Sequence, residues 1–256
     1  MGTNQKIIAF LGKGGVGKTV ATALTARLLK EQDKSKILLI DADPAMGLSL
    51  ALRINPRKTI AQARAEILKK AQTVKALSDK RELAMTIDYL ILECLMEKSG
   101  FGFLVMGRSQ ARGCYCAVNN LLRESITELS QRFDWIIIDA EAGIEQVNRE
   151  VTQKVNFPLI ITDHSLRGII TAQAINSTLK KTYQSKAKGV IFNRCLSPDK
   201  MLLKKMEKSG LKYLGSIPID NQISEYDRIG KSLLEIPANS KGLRALKKIL
   251  VENKIL

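Results

Sequence analysis

A glycine-rich octet, Gly12-Lys13-Gly14-Gly15-Val16-Gly17-Lys18-Thr19, lies between a short apolar run ending at Leu11 and an amphipathic stretch from Thr19 to Glu31. Strand, glycine loop and helix in that order leave few folds open. Glycines let successive backbone N–H groups curl around an anion without Cβ clashes, and the N-terminus of the following helix adds partial positive charge. In this spacing Lys18 is expected to reach the outer phosphates of a nucleotide, and the Thr19 hydroxyl to ligate Mg²⁺.

The rest of the chain supplies the sheet that such a loop needs. Short β-branched runs recur at Lys6–Leu11, Lys36–Ile40, Phe101–Met106, Trp135–Ile138, Phe157–Thr162, Gly189–Asn193 and Tyr213–Ile217. Amphipathic stretches lie between them, at Ala117–Gln131, Gly168–Lys180, Asp199–Ser209 and Lys241–Val251. Apolar strands without alternation, separated by helices, predict a doubly wound α/β fold with a mostly parallel sheet covered on both faces. The segment from Thr59 to Ser99 carries no strand signal and reads as a helical insertion after the second strand. The expected organisation is a single domain over residues 1–256, with ligands bound outside the carboxyl ends of the strands.

Charge and composition narrow the classes. Hydrophobic residues are 45% and charged residues 26% of the 256, an ordinary globular balance. No apolar run approaches the roughly 18 residues that span a bilayer, and the stretch before the glycine loop is too short for a signal peptide. A cytoplasmic protein without membrane attachment is expected. The formal charge of +16 is spread as lysine pairs along helical stretches, and aromatics are only 5%. Basic residues without interleaved aromatics describe solvated helix faces, so no nucleic-acid partner is expected.

Lys13 is the unusual member of the octet. It resembles the extra lysine of the deviant P-loop ATPases: the nitrogenase iron protein, arsenite-pump, septum-site and plasmid-partition ATPases. In those relatives this lysine crosses a dimer interface to the partner's nucleotide, so the resemblance implies a homodimer and a catalytic cation supplied in trans. The same resemblance assigns the backbone of Gly12, Gly14, Gly15, Val16, Gly17 and Lys18 to the phosphates of ATP or ADP. It makes Asp43, in Asp41-Ala42-Asp43-Pro44, the residue that orients or deprotonates the attacking water, with Asp41 supporting the magnesium shell. Asp139, ending Trp135–Ile138, becomes the acid that holds Mg²⁺ through water, and Glu141-Ala142-Gly143 the second switch. Asn193 and Pro218 flank the adenine. One departure is Val20, where these ATPases usually carry a hydroxyl that bonds the α-phosphate; its loss removes about 0.5–1.5 kcal/mol of binding.

The remaining chemistry is in Gly113-Cys114-Tyr115-Cys116, directly before a helical stripe of Val118, Leu121, Leu122, Ile126 and Leu129. A helix N-terminus and Arg112 both favour thiolate, the form that binds nickel, zinc or copper(I). One pair supplies two ligands where tetrahedral sites take four. A symmetric dimer doubles the count. Taken with GCYCAVNNLLRESI, WIIIDAEAGIEQVNR and DHSLRGIITAQ, the chain resembles the CooC-type nickel-maturation ATPases of carbon monoxide dehydrogenase over nearly its whole length. The resemblance implies one Ni²⁺ or Zn²⁺ per dimer on Cys114 and Cys116. The client it implies is carbon monoxide dehydrogenase or the related acetyl-CoA synthase. The alternative is a septum-site or partition switch without metal, using the basic surface or the C-terminal amphipathic helix. An arsenite-type or tail-anchor targeting ATPase is a further reading, for which the 59–99 insertion is short. His164 reads as a surface or capping residue.

Overall fold

The computed structural model describes residues 5–31, 35–71, 77–98, 100–108, 116–140, 155–183 and 187–256. Its first half runs β1 (Lys6–Leu11), α1 (Lys18–Lys30), β2 (Ile37–Asp41), α2 (Gly47–Leu52), α3 (Ile60–Ala71) and α4 (Leu77–Cys94). There follow β3 (Met96–Lys98), β4 (Phe101–Val105), α5 (Cys116–Ser130), β5 (Trp135–Asp139) and β6 (Phe157–Thr162). The chain closes with α6 (Leu166–Tyr183), β7 (Gly189–Asn193), α7 (Lys200–Lys208), β8 (Tyr213–Ile217), α8 (Asn221–Ile229), a 3-10 turn at Leu233–Glu235 and α9 (Lys241–Glu252).

One eight-stranded sheet takes the order β3-β4-β2-β5-β1-β6-β7-β8. Every neighbouring pair is parallel except β3 with β4. The doubly wound, mostly parallel fold expected from the apolar runs is therefore present. Because side chains alternate along a strand, each apolar run feeds both faces. Ile136 and Ile138 of β5 join Ile7, Ala9, Leu38 and Ile160 beneath α3 to α7. Ile137 joins Ile8, Phe10, Leu39 and Ile161 beneath α1, α2 and α9. Two buried layers account for the absence of polar alternation in these strands.

The insertion contains more than helices. α3 and α4 pack together, and β3 then adds the only antiparallel strand among the described residues, pairing Met96 with Phe103. Its sequence, Met-Glu-Lys, is short, charged and exposed. An edge strand of that kind is shielded from pairing with other chains, and it leaves no hydrophobic period to read.

The basic C-terminal stretch forms α9. Ser240 caps it, its hydroxyl accepting from the Leu243 N–H at 3.1 Å and donating to Asp220 at 2.6 Å. Leu243, Leu246, Ile249 and Leu250 are buried, so the apolar face of this helix is used within the fold. No helix among the described residues is long and apolar enough to cross a membrane.

Candidate nucleotide site

Chain direction sets the site. The connection from β1 runs to β2 on one side of the sheet, whereas β6, β7 and β8 lie on the other. The loop after β1 thus opens over a topological switch point, where α/β sheets bind ligands. Gly12 leaves β1 with φ +147°, and a Cβ there would stand 2.2 Å from the Ile161 carbonyl oxygen of β6. No other residue permits that approach. At Gly14 and Gly15 a Cβ would meet nothing within 4 Å. Open space above a run of exposed backbone is what an incoming phosphate needs.

Lys18 is buried, and its ammonium donates to the Lys13 carbonyl at 3.2 Å, so it lies along its own loop. Thr19 donates to Asp139 Oδ2 at 2.6 Å. Asp139 and Asp41 are register partners on adjacent strands, both buried. Asp41 Oδ2 accepts from the Ser49 N–H and hydroxyl, each at 3.0 Å, and Oδ1 from the Asp43 N–H at 3.3 Å. Asp139 Oδ1, by contrast, is buried with no hydrogen-bond partner among the described residues. An orphan carboxylate oxygen beside a threonine hydroxyl and a second carboxylate fits a hard divalent cation such as Mg²⁺.

Burial pushes the Asp139 carboxyl up to about 7; the Thr19 hydrogen bond and Lys18 oppose this, while Asp41 adds to it. Burial also raises Asp41, against the hydrogen bonds from Ser49. A raised carboxyl stays protonated in the folded protein when the unfolded chain has already lost its proton. Stability of the metal-free protein therefore falls as pH rises from about 4, where an unfolded carboxyl titrates, through about 7. Urea unfolding without Mg²⁺ should show that slope, and Asp139→Asn should remove most of it, gaining about 2–4 kcal/mol over the parent at pH 8. Equal slopes for parent and variant would contradict the assignment.

The other expected residues are distributed as follows. Asp43 Oδ1 accepts from the Ala45 N–H at 2.9 Å and its carbonyl from the Met46 N–H, so in this state it closes a turn. Val20 packs partly buried against the core beneath α1. Asn193 ends β7 opposite Ile217, directly before Pro218, which places both at one end of the same strand pair. The Asn193 amide donates to the Val16 carbonyl at 2.8 Å, a contact that the adenine assignment did not foresee. His164 is exposed in the turn before α6. Cys114 and Glu141 to Gly143 lie outside the described residues; α5 starts at Cys116, whose side chain lies outside them too. Among the described residues no group of three or more His, Cys, Asp or Glu side chains is arranged to hold a metal.

Lys13 pairs with Asp163, at the end of β6, with Nζ 2.7 Å from Oδ2; each side chain is 39% exposed. Burial pushes the Asp163 carboxyl up, but the Lys13 and Ser165 hydrogen bonds outweigh it and hold the group below its ordinary value. A half-exposed pair of this kind contributes at most about 1 kcal/mol, so Lys13 is lightly held. Sequence reasoning missed Asp163 and Ser49. Both are ordinary polar residues in sequence, and only their partners give them meaning.

Residues 7–233 match the sequence family described as the CobQ/CobB/MinD/ParA nucleotide binding domain. The chain is 37% identical over 250 residues to an uncharacterised ATP-binding protein of Methanocaldococcus jannaschii, covering 95% of this chain and 96% of that one. It is 29% identical over 258 residues to the carbon monoxide dehydrogenase accessory protein CooC of Rhodospirillum rubrum, 96% of each chain. Among solved structures, the Pyrococcus furiosus cell division ATPase MinD superposes with a TM-score of 0.69 at 22% identity, covering 97% of this chain and 98% of that one. The chain belongs to the CobQ/CobB/MinD/ParA nucleotide-binding family. It is a P-loop ATPase of the MinD/ParA type.

Proposed function

We propose that the chain is an ATP-dependent metallochaperone that carries nickel to carbon monoxide dehydrogenase or the related acetyl-CoA synthase. The observation that carries this reading is the coincidence of two features. The chain aligns with the CooC accessory protein along 96% of both sequences, and it has a Cys114-x-Cys116 pair at the start of α5. Two cysteines from each of two subunits supply the four thiolates that one nickel or zinc cargo ion takes. Lys13, lightly held at Asp163, is the residue that swings to the partner's nucleotide when two copies close. Thr19 and Asp139, with Asp41 behind them, would hold a Mg²⁺ ion, which would neutralise phosphate charge. Lys18 and the backbone of Gly12 to Gly17 orient the nucleotide, and Asp43 leaves its turn to orient the attacking water.

Closure and reopening of the dimer then bring the cysteine pairs together and apart. Metal content measured by equilibrium dialysis against Ni²⁺, with and without ADP or ATP, tests the reading. One ion per two chains is expected in one nucleotide state, with a lower ratio in the other. Two independent ions per dimer would defeat it.

A metal-free switch of the septum-site kind is the second reading. It draws on the Synechocystis septum site-determining protein MinD, 29% identical over 86% of this chain. Its expected membrane contact, the basic C-terminal helix, has its apolar face buried in this fold, which favours the metallochaperone.

A further inference from the structure

The last peptide of the glycine loop is held from outside the loop. Asn193 Nδ2 lies 2.8 Å from the Val16 carbonyl oxygen. A Cβ built on Gly17, at φ +96°, would fall 2.2 Å from that same nitrogen. The amide of Asn193 thus occupies the room that Gly17 leaves, and neither residue can be enlarged without displacing the other. A trans peptide points its C=O and the next N–H in opposite directions. Drawing the Val16 carbonyl toward β7 therefore turns the Gly17 N–H away from β7.

We infer that Asn193 is a positioning residue for phosphate: its side chain fixes the Val16–Gly17 peptide so that the Gly17 N–H donates into the phosphate seat. An asparagine amide carries two hydrogens and a carbonyl oxygen. One hydrogen is committed to Val16; the second and Oδ1 have no partner among the described residues and suit an adenine edge. Base and phosphate recognition then share one side chain at the end of β7. The role is independent of any metal cargo and rests only on the loop being the phosphate seat.

Magnesium tripolyphosphate, which has no base or ribose, separates positioning from base reading. Titration calorimetry should show Asn193→Ala weakening magnesium tripolyphosphate about five- to tenfold, the loss of one hydrogen bond, and MgATP by at least that factor, because the base contact is lost with it. Asn193→Asp should weaken both further, because a carboxylate faces the Val16 carbonyl and the phosphates. A loss for MgATP with tripolyphosphate unchanged would leave Asn193 a base reader and overturn the inference, as would no loss for either ligand. Lys18→Ala, run in parallel, must weaken tripolyphosphate; if it does not, the phosphate-seat reading itself fails. In the ¹⁵N-labelled parent protein, the Asn193 side-chain amide resonance should shift and become protected from exchange on adding tripolyphosphate. That readout needs no folded variant, and an unmoved resonance would also overturn the inference.

Discussion

Changing Cys114 and Cys116 together to serine is expected to abolish nickel retention by the dimer while ATP still binds. A serine hydroxyl does not ionise at neutral pH and is a poor ligand for nickel or zinc, whereas thiolate ligation of a structural ion is worth on the order of 10 kcal/mol. The loss of affinity should therefore span several orders of magnitude. Serine is also well tolerated at a helix start, and α5 begins at Cys116, so the substitutions need not unfold the helix. Either single substitution leaves one thiolate per chain, two per dimer, and should give weak, rapidly exchanging binding. Dialysis against Ni²⁺ followed by elemental analysis reads the metal, and a fluorescent nucleotide reads the loop. Nickel retained by the double variant at the parental ratio would place the metal elsewhere and end the cysteine model.

The second large effect is expected at Lys13. Lys13→Ala should lower ATP turnover by about 10²–10³-fold, the scale on which a cation supplied in trans stabilises phosphoryl transfer. Nucleotide affinity should change little, because the ammonium in this structure is directed to Asp163 at the end of β6. Stability should change little as well, by less than about 1 kcal/mol, since the pair is half exposed. The parent should further show turnover per chain that rises with protein concentration until the dimer saturates, and Lys13→Ala should lose that rise. A variant that keeps parental turnover would remove the trans role of Lys13 and with it the argument for a shared metal site.

The sheet was legible because its strands are buried on both faces. Lys6–Leu11, Phe157–Thr162, Gly189–Asn193 and Tyr213–Ile217 have the bounds their apolar runs predicted; β4 and β5 differ by one residue at one end, and β2 by one residue at both. β3 was missed because Met96-Glu97-Lys98 pairs along an exposed edge, where the partner strand, not hydrophobic burial, makes it a strand. α2 was missed because six residues are too few to show a helical period, and α8 because it turns no apolar stripe into the core. α8 buries no residue at all; it stands on its Asp220 cap, whose side chain accepts from Gln222. In the site, the glycine loop singled out Lys18 and Thr19 and the resemblance singled out Asp41 and Asp139; the fold brings Thr19 to Asp139 and sets Asp41 beside it. The partners were not. Nothing in the sequence relates Asp163 to Lys13, or Asn193 to Val16, because those contacts span 150 and 177 residues and exist only once β6 pairs with β1 and β7 with β6.

The glycine loop takes its external restraints from one flank of the sheet: Ile161 against Gly12, Asp163 against Lys13 and Asn193 against Gly17. The acids suited to the magnesium ion, Asp41 and Asp139, come from β2 and β5 on the other flank. Phosphate therefore belongs mechanically to one half of the molecule and its counter-ion to the other, with β1 as the seam. A bound nucleotide with its metal would be a splint laid across that seam, and the expected consequence of breaking it on hydrolysis is freedom for the two halves to shear.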